Sequence, residues 1–202
     1  NDEAIYTMAE NGGARDDYRG GNGIDTLVLE FTGQEWFRPD VQADIAAYLQ
    51  FLADHTDPGT GKADSAVFQF SAFNLNARQF ENLRVVVDGV ELDPADDPAD
   101  AIDDAVSIGE DAAATLFGSV LDNDDVPDLV REVRLVSGPL EGVLVFNPGT
   151  LGAPDGSFSY DPNGEFEDLA VGESRDVSFT HEVTDANGDT DQATVTINVT
   201  GS

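Results

Sequence analysis

The 202-residue chain has no cysteine, nine Lys and Arg, two His, one Trp and one Met. Each shortage removes a class of explanation. Without cysteine there is no disulfide framework and no thiolate ligand for zinc. That fits an exported chain that avoids stray thiol chemistry. The scarcity of Lys and Arg speaks against nucleic acid as a partner, because phosphate binding needs clustered bases. Anionic membrane surfaces are disfavoured for the same reason. No apolar run approaches the ~20 residues of a membrane span, so membrane insertion is not expected. No signal peptide is visible in the sequence, and its abrupt start at Asn1 reads as a piece of something longer. The two histidines offer little to catalysis. His181 falls on the inward face of a strand and reads as a satisfied core residue, and His55 falls at a helix end where its charge suits the dipole. No enzyme is expected.

What is abundant is acid. Forty-one Asp and Glu give a formal net charge of −32, which repels itself in the compact state. Ca²⁺ is the cation such oxygen-rich surfaces select, so the distribution of the acids matters. Residues 1–92 hold 16 acids and 6 bases, 93–104 hold 6 acids and no base, and 105–202 hold 19 acids and 3 bases. The middle run, Asp93 to Asp104, is Pro-punctuated and reads as a linker. It separates two pieces of common domain size. A hydrophobic fraction of 40% with twelve Phe supplies apolar side chains for two cores.

In residues 1–92, Glu3–Met8 reads as a strand, and Glu10–Arg19 as a polar loop. Gly20-Gly-Asn-Gly-Ile-Asp-Thr-Leu-Val28 fits the calcium-binding nonapeptide of RTX proteins at every specified position. Its glycines let carbonyls curl toward one ion, and Asp25 adds charge. Nearby Asp16, Asp17 and Asn22 are further candidate ligands. Since one copy lacks the neighbours that complete such a cage, a Gly-rich turn into strand Thr26–Phe31 is the other reading. Asp40–Asp54 places Val41, Ile45, Tyr48, Leu49 and Leu52 on one helical face, with Pro39-Asp40 at its start. Trp36 reads as core. Strands follow at Ala66–Phe70 and Leu83–Leu92, the latter with a hairpin turn at Asp88-Gly89. This piece is expected to be α+β, a small sheet with one packed helix.

Residues 105–202 are nearly all strand and turn. Seven candidates, at 105–108, 114–117, 132–136, 142–146, 157–160, 174–183 and 193–199, predict an immunoglobulin-like sandwich. Val177, Phe179, His181 and Val183 alternate inward. Ala193, Val195, Ile197 and Val199 do the same on the partner arm. Asn187-Gly188 is the turn between them.

The order of blocks in this half is specific. Gly118-Ser-Val-Leu-Asp-Asn-Asp-Asp-Val-Pro-Asp128 comes first. Asp155-Gly-Ser-Phe-Ser-Tyr-Asp-Pro-Asn163 and Phe166-Glu-Asp-Leu-Ala-Val-Gly-Glu173 follow. Phe179 to Asp191 and Ala193 to Gly201 close it. Together they resemble the cadherin-like VCBS repeats of giant bacterial surface adhesins over roughly residues 105–201. Residues 1–92 resemble, through the nonapeptide, the helix and Phe80–Glu91, a module that precedes such repeats in RTX adhesins.

The resemblance implies tandem sandwiches stiffened by Ca²⁺, exported to the bacterial cell surface, with neighbouring repeats of the same chain as partners. The residues supply their own reason to expect the ion. Asp122, Asn123, Asp124 and Asp125 pack four oxygen side chains before Pro127, with Asp128 following. Glu110 and Asp185 are expected to approach that loop. Asp185 to Asp191 has the alternation of an EF-hand start, but its Gly is misplaced and Thr196 stands where the closing Glu belongs, so a hairpin turn is the reading there. In the linker, Asp96, Asp97, Asp100, Asp103 and Asp104 are expected to repel until they share an ion with a neighbouring domain. Two functions follow from this. One is a calcium-stabilised extender of an adhesin in cell adhesion and biofilm formation. The alternative is a calcium-dependent, lectin-like module for cell-surface or matrix polysaccharide, with Trp36, Tyr18 or Phe73 beside the ion.

Overall fold

The computed structural model describes residues 2–10, 13–95 and 97–202. The chain divides into two compact units, Asn1–Asp97 and Pro98–Ser202. The first is α+β and the second is an all-β sandwich.

In the first unit the chain coils between two sheets. β1 (Glu3–Thr7), β3 (Thr26–Phe31) and β6 (Asn82–Val87) run parallel, and β7 (Val90–Leu92) closes that sheet as an antiparallel edge. β2 (Asp16–Arg19) lies parallel to β5 (Leu75–Arg78), with β4 (Val67–Gln69) antiparallel beyond it. β2 was expected as loop, and no strand was expected at β5. Both are four residues long, and they are strands because each backbone finds a parallel partner.

Tyr6 of β1 reaches Tyr18 of β2 at 6.1 Å and stacks on Phe73 at 5.4 Å, joining the two sheets through an aromatic core. β3 is central and buries Leu27, Val28 and Leu29, as a parallel strand covered on both faces must. The β6–β7 hairpin turns on Asp88 and Gly89, both at positive φ, the pair of conformations a two-residue type I′ loop requires.

Thr32 and Glu35 form a capping box that starts a short helix, α1 (Gly33–Trp36). The long helix α2 spans Pro39–His55 with Pro at its first turn. It buries Val41, Ile45, Tyr48 and Leu52 as the 3.6-residue period predicts, while Leu49 is half-buried. Tyr48 packs on Phe68 and Phe70 at about 5 Å. Trp36 is 1% exposed and lies in the core.

The second unit has seven strands. β8 (Asp104–Gly109), β10 (Val130–Ser137), β13 (Ser174–Asp185) and β14 (Thr190–Thr200) form one sheet in the order β10-β13-β14-β8. β9 (Thr115–Ser119), β11 (Val143–Thr150) and β12 (Ala153–Asp161) form the other, ordered β11-β12-β9. β8 and β14 pair in parallel, and every other pairing is antiparallel. Phe158 of β12 meets Phe179 of β13 edge-on at 5.0 Å across the core, the arrangement aromatic quadrupoles favour.

The acidic run 93–104 does not behave as one segment. The unit boundary falls after Asp97, and β8 begins at Asp104. Asp100 and Asp125 exchange two backbone hydrogen bonds of 2.9 and 3.0 Å. Residues 98–104 are therefore built into the sandwich. Asp96 lies outside the described residues.

Candidate functional site

One end of the sandwich, where β8 begins, collects most of the acids singled out in the sequence. The loop 122–125 lies against the segment 100–104 and is fastened to it by side chains. Asn123 donates its amide to the carbonyls of Ile102 and Asp103, both at 3.2 Å. Asp124 Oδ1 accepts the Ile102 N–H at 2.8 Å. Asp103 Oδ1 accepts the Thr194 N–H at 2.7 Å, and Asp191 Oδ2 accepts the Ala101 N–H at 3.0 Å. Carboxylates thus satisfy backbone donors that no ladder reaches.

Two of these acids keep an oxygen in reserve. Asp104 Oδ2 and Asp124 Oδ2 are buried and make no hydrogen bond. Asp124 Oδ2 stands 3.5 Å from His181 Nε2. Burial pushes the Asp104 carboxyl up to about 6; His181 opposes this, while Asp124, Asp122 and Asp103 add to it. His181 is buried, as its strand alternation predicts, but its environment differs from expectation: neither ring nitrogen is hydrogen-bonded.

A second group forms where β13 turns into β14. Asp185 is fully buried, and its Oδ1 accepts three backbone N–H groups, from Asn187, Gly188 and Asp189, at 2.8 to 3.0 Å. This is a hairpin turn held by its first residue, as read from Asn187-Gly188, with Gly188 at φ +101°. Asp185 Oδ2 makes no hydrogen bond. Desolvation raises the Asp185 carboxyl above its ordinary range despite the three donors. Asn187 Nδ2 reaches Asp128 Oδ2 at 3.5 Å, and Asp128 is buried. Val130, two residues after Asp128, pairs with Asp185. Register therefore brings Asp128, Asp185 and Asn187 together.

The glycine nonapeptide of the first unit joins β2 to β3. Asp25 is buried, its Oδ1 accepts the Asp2 N–H at 2.6 Å, and its own N–H goes to Glu81 Oε2 at 2.7 Å. Glu81 Oε1 holds the Ala63 N–H at 2.8 Å. A Cβ at Gly20 would stand 2.0 Å from the Gln79 carbonyl oxygen, so stacked turns approach too closely for any other residue. Asp16 and Asp17 sit on β2, in the other sheet from the strand Asp25 introduces. Asp17 accepts from Asn76 at 3.2 Å, and Asn22 is exposed.

The family profile of the bacterial cadherin-like domain matches residues 95–201, more than half of the chain. The chain belongs to the bacterial cadherin-like domain family. This is a structural, non-enzymatic fold found as an extracellular repeat of adhesin-type proteins, where it associates with neighbouring repeats. A search of curated proteins found no match. No helix among the described residues is long and apolar enough to cross a membrane.

Within the cadherin-like domain, Glu110 departs from expectation. It follows β8 at the end opposite Asp104, where its Oε1 accepts from the Ser202 N–H and hydroxyl at 2.8 and 3.1 Å. A six-residue strand spans roughly 20 Å, so Glu110 does not join the 122–128 loop. Asp97 closes the first unit and is half-buried. Asp100 and Asp125 meet through their backbones, and Asp122 is exposed beside Asp104. Among the described residues no three His, Asp or Glu side chains already form a metal-holding group. The orphaned oxygens of Asp104, Asp124 and Asp185 nevertheless fit a cation, since a buried carboxylate needs a donor or a positive charge.

Proposed function

We propose that the chain is a calcium-stiffened structural segment of a large exported RTX-type adhesin, akin to VCBS repeats. At the bacterial cell surface it supports or presents a ligand-binding region for cell adhesion and biofilm formation. In this reading residues 1–92 are the module preceding the repeat, and the acidic run passes into the repeat after Asp97. The observation that carries the reading is the buried Asp185 Oδ2, which makes no hydrogen bond and stands in a group with Asp128 and Asn187. That donor set is all oxygen, the type a hard divalent cation selects. Bound there, Ca²⁺ supplies the positive charge the buried acids need. Asp128 belongs to the loop before β10 and Asp185 ends β13, so an ion shared between them would clip loop to sheet. Exposed Asp122, Asp125, Asp100 and Asp103 would enrich cations nearby. In the glycine loop Asn22 is exposed and Asp16 and Asp17 lie on the other sheet, so calcium there is the weaker part of the proposal.

The lectin-like alternative has less to work with. Trp36 and Phe73, at 1% and 6% exposure, are core residues. Tyr18 remains, partly exposed, with its hydroxyl donating to the Ile5 carbonyl at 3.1 Å.

The test is calorimetric titration of the chelator-treated chain with Ca²⁺ and, separately, Mg²⁺. Calcium binding that raises the unfolding temperature and is lost in Asp185→Asn supports the reading. No binding at millimolar Ca²⁺, or an equal response to Mg²⁺, sinks it. A glycan array separates presenter from lectin.

A further inference from the structure

The inward face of the β10-β13-β14-β8 sheet is apolar along most of its length and polar at the end where β8 begins. Register shows how. On β14 the inward residues are Ala193, Val195, Ile197 and Val199. Asp104, Val106 and Ile108 of β8 stand beside Val195, Ile197 and Val199. Asp104 therefore occupies a core-facing position in a row of aliphatic residues. His181 of β13 faces the same side and pairs with Ala193, the smallest side chain of its row. Asp124 enters from the loop, its side chain 1% exposed, with Oδ2 at 3.5 Å from His181 Nε2.

Four buried polar atoms here make no hydrogen bond: Nδ1 and Nε2 of His181, Oδ2 of Asp104 and Oδ2 of Asp124. A histidine buried without a donor or acceptor is rare, because unsatisfied polar groups destabilise a core. The Nε2 to Oδ2 separation is longer than the ~2.9 Å of a good hydrogen bond. It is close to the roughly 3.3 Å that separates two atoms bound to one tetrahedral zinc at ~2.0–2.1 Å each. The donor types point the same way. Calcium and magnesium take oxygen, whereas imidazole with carboxylate suits zinc and its neighbours.

We propose that His181, Asp124 and Asp104 bind a borderline divalent transition metal of the zinc class, at a site distinct from the all-oxygen group of Asp128 and Asp185. The site is a facing pair with a third carboxylate beside it, not a finished cage, and metal binding draws Asp104 to the pair. Asp122, on the solvent side, provides the entry charge. Bound metal would tie the first strand of the sandwich and the 122–125 loop to β13.

The experiment is a titration of the chelator-treated full chain with ZnCl₂, read by calorimetry and by the ring resonances of its two histidines. One site is expected, with the His181 ring shifted. Affinity should fall about tenfold or more in His181→Gln and Asp124→Asn and persist in Asp185→Asn. His55→Ala controls for the exposed His55–Asp64 pair, which lies at 2.9 Å. The proposal is overturned if the His181 ring does not move at saturating zinc. It is also overturned if binding vanishes in His55→Ala but survives in His181→Gln. Should His181→Gln fail to fold, the ring resonances of the unmodified chain and the Asp124→Asn titration decide. Zinc binding without a calcium response leaves this site standing and removes the calcium reading; the reverse outcome does the opposite.

Discussion

Asp44 and Glu81 of the first unit are satisfied differently from Asp104, Asp124 and Asp185 of the second. In the first, Asp44 of α2 accepts the Ser71 N–H, the Ser71 hydroxyl and the Ala72 N–H at 2.6 to 2.8 Å, and both oxygens of Glu81 hold backbone donors. Those carboxylates are structural ties, complete without a cation. In the second, Asp104, Asp124 and Asp185 each keep a buried oxygen that makes no hydrogen bond. Acidity alone therefore does not mark a cation site. What matters is whether donors reach both oxygens of the carboxylate.

The sharpest way to break this contrast is to remove a tie. Asp44→Ala leaves two backbone N–H groups and a hydroxyl without their acceptor, where α2 meets the 71–72 turn. A loss of about 3 kcal/mol is expected, since hydrogen bonds to a charged group contribute about 1.5–3 kcal/mol each and water recovers part. Trp36 is the chain's single tryptophan and lies in the first unit, so its fluorescence during denaturant unfolding reports the change. The loss should be the same with calcium or chelator. A calcium-dependent loss would mean that the first unit also relies on an ion.

Adding the ion is the complementary perturbation. At a free Ca²⁺ concentration one hundred times its dissociation constant, the second unit gains about 2.7 kcal/mol. The His181 ring resonances should report later unfolding while the Trp36 transition stays in place, and Asp185→Asn should abolish the gain. Equal shifts in both reporters would erase the distinction between the units.

Smaller still is the capping box of α1, where Thr32 Oγ1 accepts the Glu35 N–H at 3.3 Å and Glu35 Oε2 accepts the Thr32 N–H at 2.8 Å. Thr32→Ala should remove about 1 kcal/mol from the Trp36-reported transition and leave the second unit unchanged.

How far these features were legible in the sequence depends on period. β3 follows from its apolar run after the Gly-rich turn, and α2 from the 3.6-residue stripe. The sandwich follows from seven turn-bounded strands, and the 185–189 turn from Asn187-Gly188. β2 was not legible, because Asp16–Arg19 carries no apolar alternation and owes its strand form to a parallel neighbour, and the alternation of Leu75 and Ala77 in β5 is only two steps long. Asp44 sits on a helical face that reads as apolar, and nothing local reveals the 71–72 turn it caps. At the candidate site, the sequence named Asp104, Asp122 and Asp124 as acids but placed Asp104 in a linker. Continuing the period-2 alternation of Val106 and Ile108 back by one step puts Asp104 on the core face beside His181. That signal was present, and it was obscured by the charge of the run around it.

The smallest expected effect tests Asp104 itself. Its folded carboxyl is raised from 3.8 to about 6, first by burial, so the folded state holds the proton more tightly than the unfolded chain does. Stability from this group is then highest at low pH and falls as pH rises from roughly 4 to 6, with no further change above. Acids held down by partners, such as Asp168 beside Arg175 and Asp40 beside Arg38, act in the opposite direction and in a lower window, where acid protonates them. The two trends separate in a difference experiment. In chelator-treated protein, second-unit stability measured across pH 4 to 6 by the His181 reporter should decline in the native chain and decline less in Asp104→Asn. Partial exposure and solvent screening keep the difference the smallest of the four. If the two profiles coincide, Asp104 is as well solvated as the surface acids, and the second unit buries one cation-seeking carboxylate fewer than its geometry implies.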